Sequence, residues 1–414
     1  MRVIVVGAGV SGLACAARLH AAGVDVTVVE ARDRIGGRVW PGELAGTRVD
    51  LGAAWIHGPI GNPVAEYCTA NGLAFHTDGP WGARMQVHRE DGTLVDQTSV
   101  TSIVAAWSDF DPAEALPYLA DDASLSDTID WYIADRGLTG EPADSVRFAL
   151  NWLEGALNIG GDPHQISAAG AAQYELLPGG NALVAGGYGT FVDHLATGLN
   201  LNLSERVMAV EHSGTPVVVS TDRRTLTADR VVVTVPVTVL DSIVFDPPLP
   251  SPLRTATSRL RLSTVEKIVL RFSERWWPDD LRRLAHLDPA RRFPAWMDLS
   301  THVGAPTLVG FFNPVLSDVP DDPGTRLDMA LAALRTMLGT VPKPIGAMTT
   351  DWRNDPFARG AYSYIPVGAA AADMRSFTLL DGPLRFAGEH TVPEHFGTVH
   401  GAFISGQHAA NHLL

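Results

Sequence analysis

Short apolar runs rich in β-branched residues alternate along the chain with longer segments of helical periodicity. The runs at residues 3–6 and 24–29, and the run ADRVVVTVP near residue 230, are typical of strands buried on both faces of a parallel sheet. Between residues 99 and 173, and again over 322–339, apolar residues recur every three or four positions, which predicts amphipathic helices. Predicted strands and helices alternate along the chain, but they do not form a regular series of βαβ units. The pattern therefore predicts an α/β fold in which one domain is assembled from separated segments and a second is inserted between them.

Three glycines follow the first predicted strand in the order G-x-G-x-x-G. Gly7 permits a tight turn, Gly9 lets the backbone approach a pyrophosphate, and Gly12 lets helix and strand pack closely. The helix that follows offers unpaired N–H groups and the positive end of its dipole to phosphates. Glu30 ends the second strand, where a carboxylate accepts hydrogen bonds from a ribose and repels a 2′-phosphate. This local pattern predicts a dinucleotide site for FAD or NAD.

A second glycine pair comes shortly after, in the segment RDRIGGR. Gly36 and Gly37 allow another close backbone approach, and Arg38 supplies a guanidinium suited to bidentate contact with phosphate. This segment strengthens the prediction of a phosphate-bearing cofactor.

Composition narrows the classes of function. The 414 residues are 46% apolar and 19% charged, as in an ordinary globular protein of two or three domains. The net charge of −15 disfavours nucleic acid as a partner and favours a cationic substrate. No apolar run reaches the roughly 18 residues of a membrane helix, and no signal peptide precedes the first strand, so we expect a cytoplasmic protein with no membrane partner. Cys15 and Cys68 are too few for a disulfide framework or a zinc site, and we expect buried thiols and no metal.

Segments from the first strand to the last helix resemble one family. They read VIVVGAGVSGLACAARL…VVEARDRIGGR, LGAAWIHGPIGNP, VEKIVLRFSERWW, RGAYSYIPVG and RFAGEHT…FGTVHGAFISG. Together they resemble the FAD-dependent amine oxidases. The segments WIHG, YSY and TVHGA bring the resemblance nearer to polyamine oxidases and lysine-specific histone demethylases than to mitochondrial monoamine oxidases.

The resemblance implies a Rossmann-like FAD-binding domain and an inserted α+β substrate-binding domain. We expect the first to comprise residues 1–75, 185–260 and 370–414, and the second to comprise 76–184 and 261–369.

The resemblance also implies how FAD would bind. No covalent link is expected, because Ala361 stands where monoamine oxidases carry the cysteine that bonds to FAD. Arg32 is expected at the adenosine and pyrophosphate end and Glu389 at the ribityl chain. The full set of expected cofactor residues is Gly7, Gly9, Gly12, Glu30, Arg32, Gly37, Arg38, Gly52, Ala53, Ala54, Trp55, Val207, Trp352, Gly388, Glu389, Thr398 and Val399.

Four residues are implied in catalysis by the same resemblance: Lys267, Tyr362, Thr398 and His57. In the family, the lysine matching Lys267 holds a water against flavin N5. Strand alternation does not show which way Lys267 points, because both faces of residues 265–272 carry apolar and charged residues. Tyr362 matches an aromatic residue that orients the amine and attracts its cation. Thr398 stands where monoamine oxidases have a second tyrosine. His57 would influence the protonation of the amine, and the alternative is that this histidine has a purely structural role.

The implied reaction is oxidation of an amine C–N bond. A hydride passes to flavin N5, the imine is hydrolysed to an aldehyde and an amine, and O2 reoxidises the flavin with release of hydrogen peroxide. A polyamine-type substrate is favoured. Glu154 and Glu175 are candidate partners for its distal ammonium group, with exposed helix carboxylates as the alternative.

Other functions stay open at this stage. An L-amino-acid oxidase would need an arginine for the substrate carboxylate, and Arg84 and Arg359 are candidates. A flavin-binding protein without turnover would share the cofactor site. A desaturase or protoporphyrinogen-type oxidase would share only the N-terminal motif, and Lys267 and Tyr362 argue against it.

Overall fold

Parallel and mixed sheets with surrounding helices make up the structure, a computed structural model that describes residues 1–78 and 84–414. The strands are β1 (Arg2–Val6), β2 (Asp25–Val29), β3 (Pro41–Leu44), β4 (Thr47–Asp50), β5 (Trp55–His57), β6 (Phe75–Thr77), β7 (Met85–Arg89), β8 (Asn181–Val184), β9 (Asn200–Asn202), β10 (Val207–Glu211), β11 (Val217–Thr221), β12 (Thr225–Ala228), β13 (Arg230–Val233), β14 (Val244–Asp246), β15 (Arg261–Leu262), β16 (Glu266–Arg271), β17 (Arg283–Leu287), β18 (Ala295–Asp298), β19 (Thr307–Phe312), β20 (Gly346–Thr349), β21 (Ser363–Tyr364) and β22 (Leu384–Phe386). The α-helices are α1 (Val10–Ala21), α2 (Pro63–Ala70), α3 (Gln97–Asp109), α4 (Pro112–Ala115), α5 (Leu125–Asp135), α6 (Gly140–Ala149), α7 (Ala168–Ala171), α8 (Gly189–Leu195), α9 (Ser251–Arg259), α10 (Ser300–Val303), α11 (Pro323–Leu338), α12 (Ala371–Arg375) and α13 (Val399–Asn411). A π-helix, Leu150–Ile159, follows α6, and 3₁₀ segments occupy Leu116–Tyr118, Val237–Ser242, Ser376–Thr378 and Glu389–Thr391.

A five-stranded parallel sheet has the order β22-β13-β1-β2-β9. The two N-terminal apolar runs form β1 and β2, with Val3 opposite Val26 and Val6 opposite Val29. The VVV run near residue 230 lies in β13. Residues 3–6 and 231–233 are all buried, as the unbroken apolar character of both runs predicts.

The first and last helices pack against each other beside this sheet. Gly406 of α13 permits the close approach, because a Cβ there would lie 2.1 Å from the carbonyl oxygen of Ser11 in α1. The parallel sheet therefore joins the two ends of the chain, since β1 and β22 both belong to it.

A six-stranded sheet has the order β20-β16-β19-β18-β17-β7 and is antiparallel except for the β17–β7 pair. The helices predicted between residues 99 and 173 are α3 to α7 and the π-helix, and the one predicted over 322–339 is α11. Asp322 begins α11 by accepting a hydrogen bond from the backbone N–H of Thr325. The predicted α/β fold is confirmed, with both parallel and antiparallel sheets.

We propose the domain bounds given above as a division of this architecture. The parallel sheet draws its strands from residues 1–75, 185–260 and 370–414, and the six-stranded sheet draws its strands from 76–184 and 261–369. The three-stranded sheet β5-β8-β6 crosses the proposed boundary, because β8 pairs with both β5 and β6.

The two cysteines lie inside this fold as free thiols. Cys15 and Cys68 are buried and unpaired, as predicted. Burial raises the thiol pKa to about 12 for Cys15 and about 11 for Cys68, so both stay protonated at neutral pH. In the described part of the chain, no helix has the length and apolar character to cross a bilayer.

Candidate active site

One elongated cavity runs between the parallel sheet and the six-stranded sheet. It begins at the carboxyl ends of β1 and β2, near Val6 and Val29, and continues to Lys267 on β16 and Phe311 on β19. The residues predicted from the sequence that line it are Gly7, Gly9, Glu30, Arg32, Gly37, Arg38, Gly52, Ala53, Ala54, Trp55, His57, Val207, Lys267, Trp352, Tyr362, Gly388, Glu389, Thr398 and Val399. Gly12 lies outside the wall.

The N-terminus of α1 lies at the cavity wall and is suited to an anion. No side chain caps it, and its first turn contains no acidic residue. Gly7 has a φ of +105°, and a Cβ on Gly9 would meet no atom within 4 Å, so the backbone at Gly9 borders open space. A Cβ on Gly12 would lie 2.0 Å from the Gly7 carbonyl oxygen, which shows that Gly12 packs helix against strand. Free N–H groups and the helix dipole at this end fit the phosphates of a dinucleotide.

Glu30 is held rigidly at the end of β2. Its carboxylate accepts backbone hydrogen bonds from Ala8 N at 2.7 Å and Arg32 N at 2.8 Å. A carboxylate offers about four acceptor sites, so capacity for a ribose hydroxyl remains. The Arg32 guanidinium donates two hydrogen bonds to Asp355, at 2.9 and 2.7 Å, and lies 5.3 Å from the Phe357 ring centroid.

Arg38 and Glu389 form a partly buried ion pair in the cavity wall. Arg38 Nη1 lies 2.8 Å from Glu389 Oε1 and donates a further hydrogen bond to the Ala361 carbonyl at 3.0 Å. Glu389 also accepts from the Ser363 hydroxyl and from Gly397 N. Burial opposes ionisation of Glu389, but Arg38 and these donors hold its pKa below the usual value. The carboxylate is therefore charged at neutral pH, and it links Arg38, Ser363 and Gly397, which belong to three separate segments of the chain.

Lys267 points from β16 into the cavity. Strand alternation alone did not predict this direction. Its ammonium donates to the Gly52 carbonyl and lies 5.0 Å from the Trp55 ring centroid and 5.6 Å from that of Phe311. Burial lowers the pKa of Lys267 to about 8, and the Asp50 carboxylate opposes this shift. A lysine with a pKa near neutrality can hold or exchange a proton at the pH of the reaction.

Glu266, the neighbour of Lys267, points to the opposite side of β16. It is fully buried and accepts hydrogen bonds from the Thr350 hydroxyl at 2.5 Å and from Arg353 N at 3.1 Å. Burial raises its pKa to about 7, despite the opposing effect of these two donors. The carboxyl is thus partly protonated at neutral pH.

The Glu266→Gln variant is expected to alter the pH dependence of stability. Because the folded-state pKa of about 7 exceeds the usual 4.5, the group favours folding below pH 4.5, and this contribution is lost as the pH rises through 7. The loss amounts to about 3 kcal/mol, so the variant should unfold less readily than the parent protein at pH 8. Urea denaturation between pH 5 and 8 measures the effect, with the exposed Glu274→Gln as the control. Parallel pH curves for Glu266→Gln and the parent protein would contradict the prediction.

Tyr362, His57 and Thr398 line the same cavity as Lys267. The Tyr362 hydroxyl donates to the Leu157 carbonyl, which fixes the ring, and burial raises its pKa. His57 Nδ1 lies 2.9 Å from the Asn181 side-chain oxygen, and burial lowers the pKa of His57, which favours the neutral imidazole. The Thr398 hydroxyl begins α13 by accepting from Gly401 N and donates to the His395 carbonyl, so both of its hydrogen-bonding functions serve the helix start.

Neither arginine named for a carboxylate substrate lies in this cavity. Arg359 donates to Asp241 at 2.6 Å and to the Thr238 carbonyl at 2.8 Å. Arg84 is exposed and precedes β7. The geometry therefore gives no support to a carboxylate clamp formed by either residue.

Comparison with known proteins assigns the family. Residues 10–414 match the family described as flavin containing amine oxidoreductase. The chain belongs to this family. Its predicted resemblance and its enzyme class are thereby confirmed, and the glycine-bordered, uncapped helix end provides a cradle of the kind a flavin nucleotide needs.

Two relatives illustrate which members of the family this flavin-containing amine oxidoreductase resembles. It is 31% identical over 444 residues to lysine-specific histone demethylase 2 of Homo sapiens, covering 99% of this chain and 53% of that protein. It is 30% identical over 432 residues to polyamine oxidase 5 of Oryza sativa subsp. japonica, covering 99% of this chain and 86% of that protein. The chain spans about half the length of the demethylases that it matches.

The oxidoreductase also shares its fold with a solved structure. A putrescine oxidase bound to putrescine superposes with a TM-score of 0.82 and 23% identity, covering 100% of this chain and 99% of the other. At this identity the likeness establishes the fold.

Several residues of the oxidoreductase site were missed in the sequence. Asp355 and Phe357 contact Arg32, and Arg206 Cζ lies 6.0 Å from the Phe357 ring centroid. No local pattern marks them, because Arg32 and Asp355 are 323 positions apart. Asp50 had a visible signal in the sequence, since it is a charged residue between the apolar residues Val49 and Leu51.

Proposed function

We propose that this chain is an FAD-dependent amine oxidase with a polyamine-type substrate and non-covalently bound FAD. The observation that carries the proposal is that Lys267 and Tyr362 line the same cavity as the dinucleotide motif. The names of the relatives, polyamine oxidase and putrescine oxidase, support the substrate class. The net charge of −15 favours a cationic substrate.

FAD and the protein would have separate roles in the proposed reaction. FAD, when bound, supplies a two-electron acceptor that O2 regenerates with release of hydrogen peroxide. Gly7, Gly9 and Glu30 would hold its nucleotide end, and Arg38 and Glu389 would support its middle. Ala361 lines the cavity beside Tyr362 and offers no nucleophile for a covalent bond.

The protein's side chains would orient the amine and accept its proton. Tyr362 and Trp55 present aromatic faces that attract a cationic amine. The substrate loses a hydride from its α-carbon and a proton from its nitrogen, and the imine formed takes up water to give an aldehyde and an amine. Lys267 would donate to a water at this point, and the position of its ammonium in the cavity wall supports this role. The neutral His57 is available to accept a proton from the amine.

Anaerobic titration of the purified flavoprotein tests the proposal. Acid precipitation should first release FAD into the supernatant, which establishes non-covalent binding. Spermine, spermidine, putrescine, an aromatic monoamine and an L-amino acid are then added singly while flavin absorbance is followed. We expect bleaching by a polyamine or diamine. Bleaching by the L-amino acid alone, or by none of these compounds, would contradict the proposed function.

A further inference from the structure

A second cavity, of about 400 Å³, lies outside the candidate active site and shares no lining residue with it. Its wall comes from three short segments, within residues 164–165, 258–261 and 364–369. Strands β15 and β21 hold two of these segments together, with Arg261 directly opposite Tyr364 in the antiparallel pair. The cavity is therefore separate from the predicted cofactor and amine site.

The charged groups in the wall of this second cavity are basic. Arg259 and Arg261 carry permanent positive charges, and His164 adds an imidazole. No lining residue in the described part of the chain is acidic. The chain as a whole has a net charge of −15, so basic groups gathered without a carboxylate contrast with its composition. A concave wall of this charge attracts an anion.

Both guanidinium groups keep hydrogen-bond donors for a ligand. Arg261 uses Nη1 to donate to three successive carbonyl oxygens at the end of α9, those of residues 258–260, at 2.6, 3.1 and 3.0 Å. Its Nε and Nη2 donate to no residue that the structure describes. Arg259 lies 3.6 Å from the Asp373 carboxylate, which is too far for a hydrogen bond. Each arginine can therefore turn a fork of free N–H groups to an oxyanion.

Tyr364 adds a hydroxyl that has no partner. The residue lines the cavity and is 8% exposed, yet its hydroxyl forms no hydrogen bond with any residue in the described ranges. The ring is held in place by close packing on Gly161, where a Cβ would lie 2.8 Å from ring Cε2. Burial raises the pKa of the phenol, which Arg261 opposes and Asp162 reinforces, so the hydroxyl remains a donor at neutral pH. An enclosed hydroxyl without a hydrogen bond is costly, and an acceptor in the cavity would remove that cost.

We infer that this second cavity is a binding site for a small phosphate monoester. The phosphate would accept hydrogen bonds from Arg259, Arg261 and the Tyr364 hydroxyl, and its two negative charges match the two guanidinium groups. The volume of about 400 Å³ lies in the range of small-molecule pockets and leaves room for an organic part. Pro366 and Val367 provide apolar wall for that part. The inference goes beyond the proposed function and does not depend on it.

Isothermal titration calorimetry of the FAD-loaded protein with inorganic phosphate and with glycerol 3-phosphate tests the site. The protein is loaded with FAD so that the N-terminus of α1 is not free to bind phosphate. Tyr364→Phe removes one hydroxyl and keeps the ring, and we expect it to raise both dissociation constants by about 10-fold. Arg261→Gln should raise them by about 10- to 100-fold. Tyr118→Phe and Arg223→Gln are matched controls, because both side chains are exposed outside the cavity, and they should change neither constant.

Thermal denaturation provides a second measurement of the same site. Glycerol 3-phosphate should raise the unfolding midpoint of the parent protein more than that of Tyr364→Phe, since a ligand stabilises the state that binds it. Because Arg261 also binds the end of α9, Tyr364→Phe decides the case if Arg261→Gln does not fold. Equal affinity of the parent protein and Tyr364→Phe, or no binding of either anion, would overturn the inference. Tighter binding of succinate than of glycerol 3-phosphate would overturn the assignment to phosphate. No amine is present, so the result is independent of the amine titration.

Discussion

Replacing Lys267 with methionine is expected to slow amine oxidation by at least about 100-fold while making the protein more resistant to unfolding. The Lys267 ammonium is a charged hydrogen-bond donor in the wall of the cavity that Tyr362 also lines, and methionine cannot donate a hydrogen bond. Methionine fits the apolar surroundings of Trp55 and Phe311 without the cost of burying a charge. Stopped-flow flavin reduction and urea denaturation measure the two effects.

The sign of the stability change follows from the pKa of Lys267. Its folded-state value of about 8 lies below the usual 10.5, so the protonated lysine disfavours folding at pH 7, by about 1 to 3 kcal/mol. The stability advantage of the variant should shrink as the pH rises from 8 to 10.5. Lys343→Met is the matched control, because Lys343 is exposed and is the other of the two lysines in the chain. Unchanged turnover in Lys267→Met would contradict the role given to this side chain.

The Glu389→Ala variant is expected to lose about 3 kcal/mol of stability and to bind FAD weakly. The substitution leaves the partly buried charge of Arg38 without its carboxylate and removes the acceptor for the Ser363 hydroxyl and for Gly397 N. Thermal denaturation and the FAD content of the purified protein measure the outcome.

Glu394→Ala provides the control for that loss. Glu394 pairs with Arg375 at the surface, where an ion pair contributes at most about 1 kcal/mol. A comparable loss of stability in Glu389→Ala and Glu394→Ala would show that burial of the Arg38–Glu389 pair has no special effect. Normal FAD content in Glu389→Ala would remove Glu389 from the cofactor site.

The parts of the site that the sequence predicts are those set by the local backbone. The spacing of Gly7, Gly9 and Glu30 is fixed within one strand–helix–strand unit, so a short segment is enough to place them around one end of the cavity. Contacts between distant segments carry no such signal. The Arg38–Glu389 pair joins positions 351 apart and depends on how the two ends of the chain meet.

Lys267 shows why a strand pattern can fail to orient a side chain. Glu266 is buried on one face of β16 and Lys267 points into the cavity on the other, so both faces carry apolar and charged residues. Glu154 shows a different difficulty. In the sequence it is indistinguishable from an exposed helix acid, and only the packing of Trp107 and Asn158 around it shows its burial.

The union of the first and last strands in one parallel sheet has a consequence for biosynthesis. The glycine motif is translated long before β22, which belongs to the same sheet as β1, and before α13, which packs on α1. A nascent chain that stops before residue 384 lacks an edge strand, the Glu389 partner of Arg38 and the helix that packs on α1. Flavin capture should therefore wait for residues 384–411, and retention of the yellow cofactor would distinguish chains that contain these residues from chains that stop before them.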